Sequence, residues 1–405
     1  MGNLKTIIFI GANKTGSSRD AIRAAEKLGY FTVLFTNNEK QFRQREAYSD
    51  VHKMIFVDIT NITTMERAIN QLKTNSFDIV IIVSFVDPYV HTASLLCDKF
   101  CKNYTNSKAI QMMEDKEETR NYLKDYAFTP KFLVLRPKDP ITNGKLGYPV
   151  IIKSPKSTGS KDVLLAVNKK QVEKHVLSLQ EKYPKDTVML EEYLDGPQYL
   201  VETIIYNKQP HIIGVMEQEI TQGKRFIITG YSVLANIPSK MQVNLEEIVS
   251  SIVDAFEIEN GAMHLELRLT KSGWKLIEIN PRISGGAMNK MIQAAFGFSL
   301  VEETLKLFLG KKPDVTPKYR NYVHTKYIVV GRKGILEKVT GKNRANNSSG
   351  VVDVYIKPRR GTLLVPPLSM GHRYAYVIAT GATKHEAKRN ATMGAKEIQF
   401  HMKVE

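Results

Sequence analysis

Cysteine is nearly absent: the 405 residues hold two, Cys97 and Cys101. So few thiols exclude a disulfide scaffold and favour a reducing compartment. One helical turn apart and without other ligands at metal spacing, the pair reads as buried thiols rather than a metal site. Long apolar runs are missing too, and no segment approaches the ~20 residues needed to cross a bilayer. The opening MGNLKTIIFIG has one lysine, a short apolar run and no small-residue cleavage pattern. No signal peptide and no membrane partner are expected, and a cytoplasmic protein is. Covalent nucleophile motifs are also lacking: there is no Gly-x-Ser-x-Gly elbow, and His385-Glu386 is not followed by the second histidine of a zinc helix.

What is present is basic charge, 58 Lys+Arg against 41 Asp+Glu for a net +17. Such a surplus attracts anionic substrates or polyanions. It is dispersed, with short clusters only at Lys311-Lys312, Lys357 to Arg360 and Lys384 to Arg389, and aromatics do not interleave with them. A solvated surface fits this dispersion better than a nucleic-acid groove. A chain of this length with 42% hydrophobic residues organises two or three domains.

Residues 4 to 35 alternate strand, Gly-bearing turn, helix and strand. KMIFVDI and FDIVIIVSF follow as strands with an amphipathic helix near 62–75 between them, so the first hundred residues read as a small parallel α/β unit. The loop GANKTGSS is no phosphate-binding P-loop, because Ser17 and Ser18 stand where Lys and Ser/Thr must follow the second glycine. The dinucleotide pattern is equally incomplete, with Asn37-Asn38 where an acid would hold a ribose. Further on, YPVIIKS, TVMLEEYL, YLVETIIY and QPHIIGVMEQEI read as strands, the last two joined by a tight Asn207-Lys208 hairpin link. A helix over about 243–256 follows from Leu245, Ile248, Ile252 and Phe256 at spacings of three and four. AMHLELRLTKSGWKLIEIN then reads as two strands around Ser272-Gly273, and a closing helix spans about 384–398.

The strand pair concentrates chemistry. Glu266 and Glu278 lie on successive strands and can sit side by side across the ladder. Asn280 shares a face with Glu278, since a strand alternates sides, and Arg282 follows over the turn that Pro281 begins. Two carboxylates so placed repel unless a cation lies between them. With Asn280 they form an all-oxygen set suited to Mg²⁺, which takes few protein ligands plus phosphate oxygens. Lys153, on an otherwise apolar strand, needs an anionic partner, and the small residues Ser157, Gly159 and Ser160 behind it can offer N–H groups to phosphate. Lys116 by itself reads equally as a solvent-facing helix lysine.

In the order Lys116, Lys153 with its glycine loop, EEYL, Glu266 and EINPR, the chain resembles the ATP-grasp enzymes over nearly its whole length. Within them it is similar to the carboxylate–amine ligases that join amino acids, the bacterial L-amino-acid (dipeptide) ligases. The resemblance implies an α/β and α+β architecture: a pre-ATP-grasp parallel α/β domain (1–103), an ATP-grasp domain (104–310) whose small nucleotide-clamping lobe spans about 135–192, and a C-terminal lid-like domain (311–405) completing the unit. It implies ATP and small-molecule carboxylate and amine substrates, Mg²⁺ with Mn²⁺ as a substitute, no nucleic acid, and a homodimer as an open option. Lys116, Lys153, Ser157, Gly159 and Ser160 would contact the ATP phosphates. Glu191 and the backbone of Glu192 and Leu194 would frame the adenine, and Gln198 would face the ribose, standing where the family commonly has glutamate. Glu266, Glu278 and Asn280 would hold the metal. Arg282 would meet the transferring phosphoryl group, with Glu278 the second catalytic residue, and Ser284 and Gly285 would lie beside the substrate carboxylate. Tyr231 falls in ITGY, where the dipeptide ligases have a segment resembling E-T-G-H facing the substrate amino group; Ile228 there removes the expected carboxylate. A purine-biosynthesis-type ligase shares the architecture, and an inactive ATP-grasp scaffold binding nucleic acid is the alternative from another class.

Overall fold

The computed structural model describes residues 4–102, 105–155, 162–222 and 226–403. The predicted phosphate-loop residues Ser157, Gly159 and Ser160 lie outside them. Strands β1 (Leu4–Ile10), β2 (Phe31–Thr36), β3 (Lys53–Phe56) and β4 (Phe77–Val83) form an all-parallel sheet in the order β3-β2-β1-β4. Its strands are near-continuous apolar runs because helices cover the sheet. Among those helices are Ser17–Lys27, Ile62–Thr74 and Val90–Phe100. Cys97 is buried and Cys101 half-buried, both as free thiols.

A second, four-stranded sheet holds β5 (Phe132–Leu135), β6 (Val150–Lys153), β7 (Val163–Ala166) and β8 (Val188–Glu192), ordered β5-β8-β6-β7 and antiparallel throughout. The helix Lys169–Lys182 packs on it through Val172, Val176 and Leu179. Next come β9 (Gln198–Tyr206), β10 (Gln209–Gln222), β11 (Phe226–Val233), β12 (Gly261–Thr270), β13 (Gly273–Asn280), β14 (Tyr322–Ile328), β15 (Gly334–Thr340), β16 (Val351–Ile356), β17 (Leu363–Leu364), β18 (Ala375–Gly381) and β19 (Gln399–Lys403). Eight of these build the central sheet, ordered β13-β12-β9-β10-β11-β14-β18-β16. The C-terminal strands β14, β18 and β16 thus extend the sheet that carries Glu266 and Glu278. The remaining three, β17-β15-β19, form a small sheet beside it.

The β9–β10 link has Asn207 and Lys208 both at positive φ, 50° and 63°, the geometry of a two-residue hairpin turn whose twist matches the strands. The helix expected near 243–256 begins earlier, at Ser239, directly after Pro238. β5 and β11 escape a reading of the sequence: the first has four residues, and the second is interrupted by Thr229-Gly230. Gly230 is required because a Cβ there would meet the His324 ring at 3.0 Å.

The closing helix Lys384–Glu397 is tied to the central sheet by Glu219, which pairs with Lys326 at 2.7 Å and Lys388 at 3.0 Å. Burial raises the Glu219 carboxyl, but the two ammonium groups outweigh it and hold it at about 2. A carboxyl depressed in the folded state contributes stability above its unfolded value, and that contribution is lost as pH falls through the folded value. Glu219→Gln is therefore expected to lower the melting temperature at neutral pH and to converge with the parent protein as pH drops from about 4.5 towards 2. Melting curves across that range check this; a deficit independent of pH would contradict it.

Candidate active site

The β12–β13 hairpin fixes the centre of the site. Glu266 and Glu278 are direct cross-strand partners, and Asn280 stands opposite His264. Burial and the Glu278 charge both push the Glu266 carboxyl up, with His264 and Lys116 acting against them. That is the electrostatic mark of two carboxylates held side by side. Lys116, at the start of the helix Lys116–Tyr122, brings its Nζ to 3.2 Å from Glu278 Oε1. Among the described residues no group of three or more His, Cys, Asp and Glu could hold a metal by itself. Two carboxylates and an amide oxygen fit a magnesium ion that takes its other ligands from phosphate and water.

Lys153 closes the small sheet and is buried, its Nζ 2.7 Å from Glu191 Oε2. Arg120, 1% exposed, donates to the other oxygen of Glu191 at 2.7 Å and to the Leu276 and Ile277 carbonyls at 3.0 and 2.6 Å. Burial raises the Glu191 carboxyl, and the two cations outweigh it and hold it below the usual range. Glu191, expected at the adenine, thus spends its carboxylate on orienting Lys153, because a buried ammonium needs a counter-charge. Arg120 was not singled out in the sequence, yet it lies one helical turn beyond Lys116, the spacing that puts both on one helix face.

The segment after β8 is anchored by hydrogen bonds. The Glu192 amide donates to the Lys131 carbonyl at 3.0 Å, and the Leu194 carbonyl accepts from Arg268 Nη1 at 2.8 Å. Gln198 donates to Glu266 at 2.8 Å and accepts from Arg268 at 2.5 Å. Its amide links the Glu266 carboxylate to Arg268, which in turn holds the chain at Leu194.

Arg282 does not turn back over Glu278 and Asn280 as strand alternation suggested. Its guanidinium pairs with Asp87, from the end of the N-terminal sheet, and donates to the Ile283 carbonyl at 2.9 Å. The turn at Pro281 reverses the backbone, with the Arg282 amide on the Asn280 carbonyl at 2.8 Å, so the alternation of β13 no longer applies. Asp87 carried no signal in the sequence.

The Ser-Gly-Gly loop is held from three sides. Ser284 N–H donates to Glu202 Oε2 at 3.1 Å, and the Ser284 carbonyl accepts from Ser17 Oγ at 2.5 Å and Asn289 Nδ2 at 3.3 Å. Glu202, fully buried on β9, also takes His264 Nδ1 at 2.6 Å. Burial lowers the His264 pKa, and Glu202 and Glu266 reverse that, leaving it raised. Gly16 has φ 86°, and a Cβ on it would lie 3.3 Å from the Gly286 nitrogen. GANKTGSS, unfit as a phosphate loop, buttresses SGG. Gly285 follows on this loop, and the Ser284 hydroxyl is buried with no partner among the described residues. Glu202 and His264 had a legible mark: an acid inside the apolar run YLVETIIY, and His264, Glu266 and Arg268 alternating onto one face. Tyr231 is buried on β11 under Arg373, whose guanidinium lies 6.0 Å from its ring centre.

Residues 146–290 match the ATP-grasp domain. Residues 326–403 match the L-amino acid ligase C-terminal domain 2. An uncharacterized protein of Sinorhizobium fredii is 24% identical over 391 residues, 95% of this chain and 80% of that protein. The L-arginine-specific L-amino acid ligase of Bacillus subtilis is 22% identical over 77% of this chain and 78% of its own length. The crystal structure of an L-amino acid ligase from Bacillus licheniformis has the same fold, with a TM-score of 0.83 at 19% identity and full coverage of both chains. The ATP-grasp domain and this homology support ATP-dependent amide-bond ligation by an ADP-forming ligase. No helix among the described residues is long and apolar enough to cross a membrane.

Proposed function

We propose that this ligase activates a small carboxylic acid with ATP and joins it to an amine, with an amino acid as at least one of the two substrates. The carboxylate oxygen attacks the γ-phosphorus and ADP leaves. The amine then attacks the acyl carbon, phosphate leaves, and the amine gives up a proton as the amide forms. The observation that carries this reading is the paired Glu266 and Glu278 with Lys116 at 3.2 Å, beside the Arg282 turn and the anchored Ser284 loop.

Protein groups in such a reaction mainly position substrates and neutralise charge. Lys116 and Lys153 would balance the triphosphate, Lys153 with its orientation preset by Glu191. Glu266, Glu278 and Asn280 would hold Mg²⁺, or Mn²⁺ in its place, which supplies charge neutralisation at the phosphate oxygens. Arg282 would exchange Asp87 for the transferring phosphoryl group, and the Ser284–Gly285 backbone would bound the activated carboxylate. The reading extends to Ser157, Gly159 and Ser160 at the phosphates, to Glu192 and Leu194 at the adenine and to Gln198 at the ribose.

The test is phosphate and ADP release from Mg-ATP against all pairs of the twenty amino acids, with mass spectrometry of the products. A pair-dependent signal and a product mass equal to both substrates minus water are expected. Chelating the divalent metal should abolish it, and Mg²⁺ should restore it. Absence of ADP with every pair, extended to simple carboxylic acids, would overturn the reading.

A further inference from the structure

The face of the central sheet that carries Glu266 continues well beyond the metal-facing carboxylates. Cross-strand partners share a face, and Glu266 leads through Leu200 and Met216 to Val233 on β11. Tyr231, two residues from Val233, lies on that same face. It stands between Gln218 on β10 and Thr325 on β14, and the next pair along β14 is Tyr327 opposite Tyr376. Arg373 reaches over this floor from the turn before β18, with its guanidinium carbon 3.9 Å from the Tyr327 ring centre and 6.0 Å from that of Tyr231.

What sets this patch apart is polar capacity left unused. Arg373 Nε donates to the Met370 carbonyl at 3.3 Å, but Nη1 is buried with no partner. Gln218 Oε1 and Thr325 Oγ1 are likewise buried and unpartnered among the described residues. No carboxylate among those residues pairs with Arg373; Asp353, the acid near Tyr376, is taken by Lys290 at 2.8 Å. A buried guanidinium N–H without an acceptor is costly, more so because the group is charged. Stacking on tyrosine offsets only part of that. The Tyr231 hydroxyl is held well above its usual range by burial, with Arg373 pulling it down and Glu266 adding a smaller upward push. Tyr231 and Glu266 thus share one face of the sheet, and Arg373 lies over the Tyr231 end of it.

We propose that Arg373, with Tyr231 and Thr325, forms an anion subsite that receives the non-reacting carboxylate of a substrate. This rests on the ligase reading and deepens it. The arginine fork matches a carboxylate in two parallel hydrogen bonds, and the tyrosine and threonine hydroxyls supply further donors. The carboxylate has two sources: the α-carboxylate of an amino-acid substrate, or the distal carboxylate of a dicarboxylic acyl donor.

The test is isothermal titration of the full chain, saturated with ADP and Mg²⁺, with each of the twenty L-amino acids and with succinate, glutarate and adipate. At least one probe is expected to bind, with its Kd raised about tenfold or more in Arg373→Met and partly recovered in Arg373→Lys, while ADP affinity is unchanged. A response confined to amino acids assigns the α-carboxylate; one confined to the dicarboxylates assigns the distal group. Should Arg373→Met fail to fold, Tyr231→Phe and Arg373→Lys carry the same comparison. The subsite is overturned if no probe binds in an Arg373-dependent way. No turnover is needed, so a silent ADP assay, which would end the ligase reading, is a separate result.

Discussion

Arg282→Ala is expected to lower kcat by about a hundred- to a thousandfold, the usual cost of removing one preorganised group that stabilises charge in transfer. The melting temperature should hardly move. Among the described residues the side chain is tied to Asp87, which is half-exposed, and to the Ile283 carbonyl, and ion pairs open to solvent contribute about 0–1 kcal/mol. Asp87→Asn is the companion variant, because it leaves the guanidinium in place and removes its resting partner. It should retain most of the activity. Rapid-quench measurement of ADP formed in the first turnover separates the chemical step from product release. A rate for Arg282→Ala within threefold of the parent protein would remove Arg282 from the reaction. Glu278→Gln should show a loss of similar size, with a higher Mg²⁺ requirement, since one of the paired carboxylates and the partner of Lys116 are lost together.

The second large effect concerns stability. Glu191→Ala should destabilise the protein by about 3–5 kcal/mol, the range for breaking a buried ion pair by removing one partner. Here two cations lose their counter-charge at once, since Lys153 and Arg120 both lie 2.7 Å from Glu191. The Glu191 carboxyl is held below its usual range in the folded state, so its contribution is full above the ordinary glutamate range and is lost only as pH falls through the folded value. The deficit of the variant should therefore be constant near neutrality and shrink in acid. Urea unfolding at several pH values measures it. Replacing the partners together, Glu191→Leu with Lys153→Met, should recover part of the stability while leaving ATP binding impaired, because well-packed apolar groups often replace a buried pair without loss. Equal instability of the single and double variants would contradict this account.

Much of the architecture was open to inspection in the chain itself. The Asn207-Lys208 hairpin, the closing helix and the Glu266/Glu278 pair arise from interactions between residues near in sequence, and the N-terminal unit shows in its alternation of apolar runs and amphipathic helices. For these, periodicity and turn chemistry carry the information. The ordered series from Lys116 to EINPR carries the resemblance to the ATP-grasp enzymes, and residues 146–290 match that domain.

The partners of the site residues were another matter. Arg282 meets Asp87 across 195 positions, Arg120 meets Glu191 across 71, and Ser17 meets Ser284 across 267. Arg373 comes to lie on Tyr231 because β14 and β18 join the sheet that holds β11. A strand's own residues determine which side chains share a face, and that much is local. Which charge lies opposite another is decided when separate sheets pack and burial forces every ion to find a counter-charge, and only the tertiary structure decides that.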